Sequence, residues 1–269
     1  MDLNTEIKGQ GYPILCLHGH PGSSASMSVF TNYLSQNYTT ITPDLRGYGK
    51  SKYSQDFFME EHLEDLKALL DKHDIDRCLL LGWSLGGIIA MELALAMPEK
   101  FCGMVLIATA AKPLSIRTSN TWKDQLFTGI GGIINLIKPG WQWNIDTFGK
   151  RSLFRFLIEH HSPESYNYLA KEGTPAYWQT SKAATNALFD AIRKGYDRLE
   201  DLHQIDFPCL MLSGECDRNI TARASQKTAE YLPNCYYINY PQVAHLFPWE
   251  IPNRVLQDIQ RWLDAHEFN

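Results

Sequence analysis

The chain has 269 residues, of which 44 % are apolar and 20 % charged, a balance typical of a soluble globular protein with a sizeable core. A formal net charge of −5, without any block of like charges, gives no basic surface for nucleic acid and no membrane-binding patch. The first residues lack the positive and apolar regions of a secretory signal, and apolar runs such as 103–111 are too short to span a bilayer. We therefore expect a cytoplasmic protein.

Short apolar runs bounded by turn signals predict fully buried strands. They are ILCLHG (14–19), TTITPD (39–44), CLLLGW (78–83), MVLIATA (104–110), CLMLSGE (209–215) and CYYINYP (235–241). Residues 57–73, 85–97 and 253–266, which lie outside these runs, have the spacing of helices with an apolar face. Helices that alternate with strands indicate right-handed crossovers and a mostly parallel sheet covered on both faces.

The interval from Lys112 to His203 contains no convincing strand, but several amphipathic helical stretches and many aromatic residues. A structureless loop of that length is uncommon in a compact domain. The sequence therefore predicts a helical insertion that lies over the sheet. Pro139-Gly140 and the segment from Gly173 to Pro175 are the expected breaks between its helices.

Six cysteines are scattered along the chain, and none has the CxxC or Cys/His spacing of a zinc site. Cys16, Cys78 and Cys209 fall in or beside predicted buried strands, where cysteine behaves as a small hydrophobe. We expect reduced thiols and no metal site.

Gly82-Trp83-Ser84-Leu85-Gly86 matches the pattern G-x-S-x-G and lies between an apolar strand and an apolar helix. Such a nucleophile elbow holds its serine on a sharp turn, so that the hydroxyl projects clear of the sheet. Glycines are expected on both sides because a side chain at either position would collide with the adjoining strand and helix. The alternative is a structural turn with an incidental serine, and the residues below favour Ser84 as a catalytic nucleophile.

A serine hydroxyl is a poor nucleophile unless a base accepts its proton. His245 follows the last predicted strand, at the carboxyl end where active-site loops of open α/β sheets gather. The base needs a carboxylate to fix its tautomer, and Asp217 follows the strand at 209–215. Glu215 is the nearest rival acid, while residues 110–113, after the strand at 104–110, contain no carboxylate.

The charge that develops on a substrate oxygen requires a pair of N–H donors. The backbone N–H of Leu85 is one candidate. The other is the backbone N–H of His20, in the glycine-containing loop after the first predicted strand. The imidazole of His20 either reaches the substrate or is a structural or solvated ring, and Trp83 beside the nucleophile favours an apolar pocket.

Five motifs together resemble the α/β-hydrolase superfamily, and more narrowly its capped serine esterase-like group. They are HGHPGS (18–23), DLRGYGKS (44–51), GWSLGG (82–87), GECD (214–217) and AHLFPWEIP (244–252). The resemblance implies a doubly wound, mostly parallel sheet with a helical cap inserted after the sixth strand. Residues 1–111 and 204–269 would form the core and 112–203 the cap. It also implies the chain order Ser, Asp, His and a structural turn at 44–51.

We therefore expect a serine hydrolase that cleaves a small or medium, largely apolar carboxylic ester through an acyl-enzyme, without metal or organic cofactor. Its partner would be a small ester-like molecule, and the sequence leaves the oligomeric state open. Carbon–carbon bond, lactone or perhydrolase chemistry on the same triad remains an alternative. So does a carrier-protein methyl ester esterase, whose elbow GWSLGG resembles, and so does a ligand-binding receptor with slow turnover. Relatives with a nucleophilic aspartate are disfavoured because serine occupies that position.

Overall fold

The computed structural model describes residues 1–113, 121–266 and 268, and these contain seven strands in one sheet. The strands are β1 (Thr5–Lys8), β2 (Pro13–Leu17), β3 (Thr39–Pro43), β4 (Cys78–Trp83), β5 (Phe101–Ile107), β6 (Cys209–Gly214) and β7 (Cys235–Tyr240). They lie in the order β1-β3-β2-β4-β5-β6-β7, and every neighbouring pair is parallel except β1 and β3. All six predicted strands are present, but β7 is not fully buried as predicted, since Tyr240 is its one buried residue. The sequence pattern missed β1, which is short, polar and only partly buried at the edge of the sheet.

Eleven α-helices surround this sheet in the described residues. They are α1 (Ser28–Leu34), α2 (Glu61–Lys72), α3 (Leu85–Ala96), α4 (Trp122–Ile137), α5 (Gln142–Thr147), α6 (Pro163–Tyr168), α7 (Thr174–Gln179), α8 (Lys182–Arg193), α9 (Ala222–Tyr231), α10 (Phe247–Glu250) and α11 (Pro252–His266). The predicted helices at 57–73, 85–97 and 253–266 correspond to α2, α3 and α11. The prediction placed no helix at α1 or α9.

The central strands of the sheet are buried on both faces. Along β4, Cys78 and Leu80 face one hydrophobic cluster, while Leu79 and Leu81 face the other. Helices α2, α3 and α9 cover the first face, and α1 and α11 cover the second. Because neither face of the strand meets water, the strand sequences are continuous apolar runs rather than alternating ones.

Helices α4 to α8 lie between β5 and β6 in the chain, and we call residues 121–203 the insert. The insert follows the fifth strand rather than the sixth, because residues 1–113 contain only five strands. Its buried residues join the same two clusters as the sheet, for example Leu188 of α8 on one side and Tyr166 of α6 on the other. Residues 114–120 of the predicted cap lie outside the described residues.

One of the two expected helix breaks is confirmed. Helix α4 ends before Pro139-Gly140, and α5 begins two residues after it. The break expected from Gly173 to Pro175 is wrong, since α6 runs through a π-helical turn (Leu169–Gly173) directly into α7. Pro175 lies in the first turn of α7, where a missing N–H is tolerated. No helix in the described part of the chain is both long and apolar enough to cross a membrane, and the six cysteines form no disulfide.

Candidate active site

Ser84 lies at the junction between β4 and α3, with a positive φ of 54° and a ψ of −116°. A positive φ is uncommon for a residue other than glycine and indicates local strain. The turn is held on both sides: the Ser84 N–H donates to the carbonyl of Ile107 at 2.8 Å, and the Gly87 N–H donates to the carbonyl of Ser84 at 3.0 Å. The chain therefore makes the sharp turn that the pentapeptide predicted.

The glycines around this turn are required by close packing. A Cβ atom on Gly82 would lie 2.4 Å from the carbonyl oxygen of Gly86, and one on Gly86 would lie 2.0 Å from that of Leu17. Both distances are far below van der Waals contact, which confirms the expected collision. A Cβ atom on Gly19 would lie 3.1 Å from the Cβ of Ser84. The loop after β2 therefore runs directly against the serine.

Three loops that follow different strands bring Ser84, Asp217 and His245 together. His245 Nε2 lies 3.2 Å from Ser84 Oγ, and His245 Nδ1 lies 2.7 Å from Asp217 Oδ2. The other oxygen of Asp217 accepts the backbone N–H groups of Asn219 at 2.8 Å and Ile220 at 3.0 Å. Because a carboxylate only accepts, Nδ1 must carry the proton, and Nε2 is left to accept from the serine hydroxyl. Asp217 and His245 are almost fully buried, at 2 % and 5 % exposed.

The rival acid Glu215 points elsewhere. Its side chain is exposed and accepts the backbone N–H of Gln242 at 3.0 Å. Within the described residues it makes no hydrogen bond to His245, so the geometry favours Asp217.

Two backbone N–H groups beside Ser84 lack a protein acceptor in the described part of the chain, those of Leu85 and His20. Leu85 is the first residue of α3, where N–H groups have no partner inside the helix. For His20, the orientation is set by His18. The Nε2 of His18 accepts the Leu45 N–H, so its Nδ1–H donates to the carbonyl of Gly19 at 2.8 Å. The N–H of a trans peptide points away from its carbonyl, so the His20 N–H points away from His18.

His20 and Trp83 line the same cavity as His245, the partner of Ser84. The His20 ring has its Nδ1 3.0 Å from the hydroxyl of Tyr48. Burial, together with the neighbouring His18, lowers the pKa of His20 to about 4, so its ring is neutral at pH 7. The Trp83 indole packs edge-on against Trp249, with ring centroids 4.7 Å apart.

A cavity of about 580 Å³ lies between this site and the insert. The core contributes His20, Pro21, Trp83, Asn219, His245 and Leu246, and the insert contributes Thr128, Gly129, Gly132, Ile133, Leu136, Leu153, Phe154, Leu157, Tyr168, Leu169, Gly173, Thr174, Tyr177 and Trp178. The volume is that of a typical small-molecule site. The sequence predicted an aromatic insert but could not identify which of its residues face the cavity.

Glu250 is a further residue that the sequence analysis did not single out. Its carboxylate accepts the backbone N–H groups of Ala244 at 3.0 Å, Glu159 at 3.1 Å and His160 at 2.5 Å. Burial raises the pKa of Glu250, while these three N–H groups act in the opposite direction. The carboxylate thus links the loop that carries His245 to the insert. The only signal was its position in the motif AHLFPWEIP.

Comparison with known proteins assigns the chain to a family. The family model described as "alpha/beta hydrolase fold" matches residues 12–252. The pimeloyl-[acyl-carrier protein] methyl ester esterase of Aliivibrio fischeri (strain ATCC 700601 / ES114) is 23 % identical over 277 residues, covering 98 % of each chain.

Two solved structures have the same fold. A thermophilic esterase from Thermogutta terrifontis has a TM-score of 0.72 and 22 % identity, covering 99 % of this chain and 94 % of its own. A meta-cleavage product hydrolase from Pseudomonas fluorescens IP01 has a TM-score of 0.71 and 17 % identity, covering 98 % and 94 %. The chain belongs to the α/β-hydrolase family, and it is a hydrolase.

Proposed function

We propose that the chain is a serine esterase that cleaves carboxylic esters of small or medium size. The hydrogen-bonded chain from Ser84 through His245 to Asp217 is the observation that carries this proposal. It combines a nucleophile, a base in the correct tautomer and a buried carboxylate that orients the base. The similarity to esterases over the whole length of the chain supports the same reaction class.

In the proposed reaction, Ser84 Oγ attacks the ester carbonyl while its proton passes to His245 Nε2. The backbone N–H groups of Leu85 and His20 stabilise the tetrahedral oxyanion, and the N-terminus of α3 adds a favourable dipole. His245 then gives its proton to the departing alcohol, which leaves an acyl group on Ser84. A water molecule, deprotonated by His245, attacks this acyl-enzyme and releases the carboxylic acid and free Ser84.

The cavity supports a largely apolar substrate. No Lys, Arg, Asp or Glu side chain lines it in the described residues, and Trp83 and His20 stand beside the reacting serine. We propose that residues 112–203 act as a cap that encloses the substrate, on a core formed by residues 1–111 and 204–269. Asp217 and His245 lie in loops of that core.

A methyl ester on an acyl-carrier protein is a second candidate substrate. It is favoured by the Aliivibrio fischeri relative, which matches this chain almost from end to end. Release of methanol from a pimeloyl methyl ester, compared with and without an attached carrier protein, would separate this substrate from a simple ester.

The test is hydrolysis of p-nitrophenyl esters from acetate to dodecanoate by wild type, by Ser84→Ala and by the control Ser54→Ala, whose serine is exposed. We expect Ser84→Ala to lose about 10⁶-fold in kcat, since the members of a triad act as a unit. Ser54→Ala should match wild type. Activity that survives in Ser84→Ala would refute the assignment. No activity in any of the three proteins would favour a narrow substrate or a receptor role.

A further inference from the structure

Helix α4 carries the sequence Gly129-Ile130-Gly131-Gly132 in the middle of its 16 residues. Glycine is the poorest helix former after proline, so three glycines in four positions need a reason. Gly131 has a structural one: it is buried, and a Cβ atom there would lie 2.9 Å from the Cβ of Phe148. At Gly129 and Gly132, apart from the two adjoining residues and the helix's own backbone, no atom of a described residue lies within 4 Å of that position. No neighbour among the described residues therefore requires these two glycines.

Both of these glycines line the cavity beside Ser84. Gly132 is half-buried, whereas Gly129 is exposed and lies at the mouth. Leu136, one helical turn beyond Gly132, lines the same wall. The lining also includes Leu169 and Gly173 of the π-helical turn, and such turns occur frequently at functional sites. A side chain at position 132 would therefore enter the cavity rather than pack against the protein.

We propose that Gly132, with Gly129 at the mouth, determines specificity by keeping a channel open along α4 for the aliphatic chain of a medium-chain ester. The inference rests on the proposed function, which brings the ester carbonyl to Ser84. The uncharged, mainly apolar wall selects a hydrocarbon chain. The bare backbone at Gly132 lets that chain pass closer to the helix than any other residue would allow.

The experiment compares Gly132→Val and Gly132→Ala with a control, Ile130→Val, on the same helix but outside the cavity. For p-nitrophenyl decanoate, we expect Gly132→Val to lower kcat/KM roughly tenfold or more. The valine side chain would occupy the channel, so the decanoyl chain could enter only by overpacking it. The same variant should hydrolyse p-nitrophenyl acetate at close to the wild-type rate. The control Ile130→Val should hydrolyse both esters like wild type. Gly132→Ala should raise Tm by roughly 2 °C, as expected for helix propensity, and still shift the preferred chain length downwards.

These opposite effects distinguish a specificity role from a structural one. If Gly132 has only a structural role in α4, Gly132→Ala will change Tm and leave the preferred ester chain length unaltered. That result would overturn the inference. A parallel series of alkyl acetates assigns the channel to the acid or the alcohol half of the ester. The alanine variant keeps the test decisive if Gly132→Val fails to fold.

A binding measurement separates failure of the inference from failure of the proposed function. Calorimetric titration of Ser84→Ala with decanoate and with butyrate needs no turnover. We expect adding Gly132→Val to weaken decanoate binding roughly tenfold and leave butyrate unchanged. Equal decanoate affinity with and without Gly132→Val would overturn the inference, even if Ser84-dependent esterase activity is found. Weakened decanoate binding in a protein without esterase activity would support the channel and refute the esterase.

Discussion

The sheet and the insert differ in how far they bury their apolar side chains. Every residue of β4 is buried, and its alternate side chains serve two separate clusters. Helix α4 instead exposes a stripe of apolar side chains. The stripe comprises Trp122, Leu126, Ile130, Ile133 and Ile137, each at least 36 % exposed. Ile133 of this stripe borders the cavity, as do Gly129 and Gly132.

The core and the insert also contribute different parts of the candidate site. Ser84, Asp217 and His245 all follow strands of the sheet, and the strands before Ser84 and Asp217 are fully buried. The insert supplies most of the cavity wall and none of these three residues. On the proposed function, the core supplies the chemistry and the insert determines which substrate is accepted.

The largest expected effect lies in the core. Asp217→Asn should lower kcat about 10⁴-fold, because an amide NH₂ against His245 Nδ1 favours the wrong tautomer. The measurement is hydrolysis of the best p-nitrophenyl ester. The matched control is Glu215→Gln, on an exposed side chain two residues earlier, which should leave kcat nearly unchanged. A larger loss of kcat in Glu215→Gln than in Asp217→Asn would identify Glu215, and not Asp217, as the acid that orients His245.

The second prediction asks whether the insert is as firmly packed as the sheet. Ile145 of α5 is fully buried, whereas Ile137 at the end of α4 is 81 % exposed. Ile145→Ala should lower the free energy of unfolding by about 2–5 kcal/mol. Ile137→Ala should change it by less than about 0.5 kcal/mol. Urea denaturation measures both, and equal small losses would mean that the insert is loosely attached.

The third prediction concerns the link between the two regions. In Glu250→Gln, an NH₂ group would face backbone N–H donors that now meet a carboxylate oxygen. We expect kcat to fall by up to about 100-fold through displacement of the His245 loop, with KM changed less. The neighbouring exposed Glu159→Gln serves as control. A rise in KM without a change in kcat would show that Glu250 shapes the cavity and does not position His245.

The smallest expected effect is a pH dependence of stability in the core. His62 is 1 % exposed, and neither ring nitrogen has a partner in the described residues. Burial lowers its pKa to about 3, an effect that Asp65 opposes and that His18 and Arg46 reinforce. The unfolded chain takes up a proton near pH 6.5 and the folded chain does not, so stability is full above that pH and is lost as pH falls.

From about pH 7.5 to about pH 5, His62 alone should remove on the order of 2 kcal/mol from the free energy of unfolding. Urea denaturation should show that His62→Leu loses less of its free energy of unfolding between these two pH values than wild type does, by that amount. His203→Leu, at an exposed position, should retain the wild-type slope. If the free energy of unfolding of His62→Leu fell with pH as steeply as that of wild type, His62 would have to be protonated in the folded state.

The strands and the grouping of Ser84, Asp217 and His245 could be predicted because their signals are local. A strand buried on both faces is an apolar run, and the elbow needs Gly82 and Gly86 on either side of its serine. β1 escaped prediction because a four-residue edge strand such as TEIK buries too little surface to leave a pattern. The break expected near Pro175 failed because the π-helical turn before it keeps the helix continuous.

The cavity could not be predicted because it depends on contacts between distant segments. Phe154 and Tyr168 come from different parts of the insert, and no spacing in the sequence shows that both line the same cavity as His245. Glu250 has the same character, since its partners Glu159 and His160 lie about ninety residues earlier in the chain.

The most direct test of the proposed triad is covalent labelling with a fluorophosphonate, which reacts with serine hydroxyls activated by a base. We expect one adduct per chain, located by mass spectrometry on the peptide that contains Ser84. Labelling should be nearly abolished in His245→Ala. An adduct on another residue, or equal labelling of Ser84 without His245, would contradict the proposed triad.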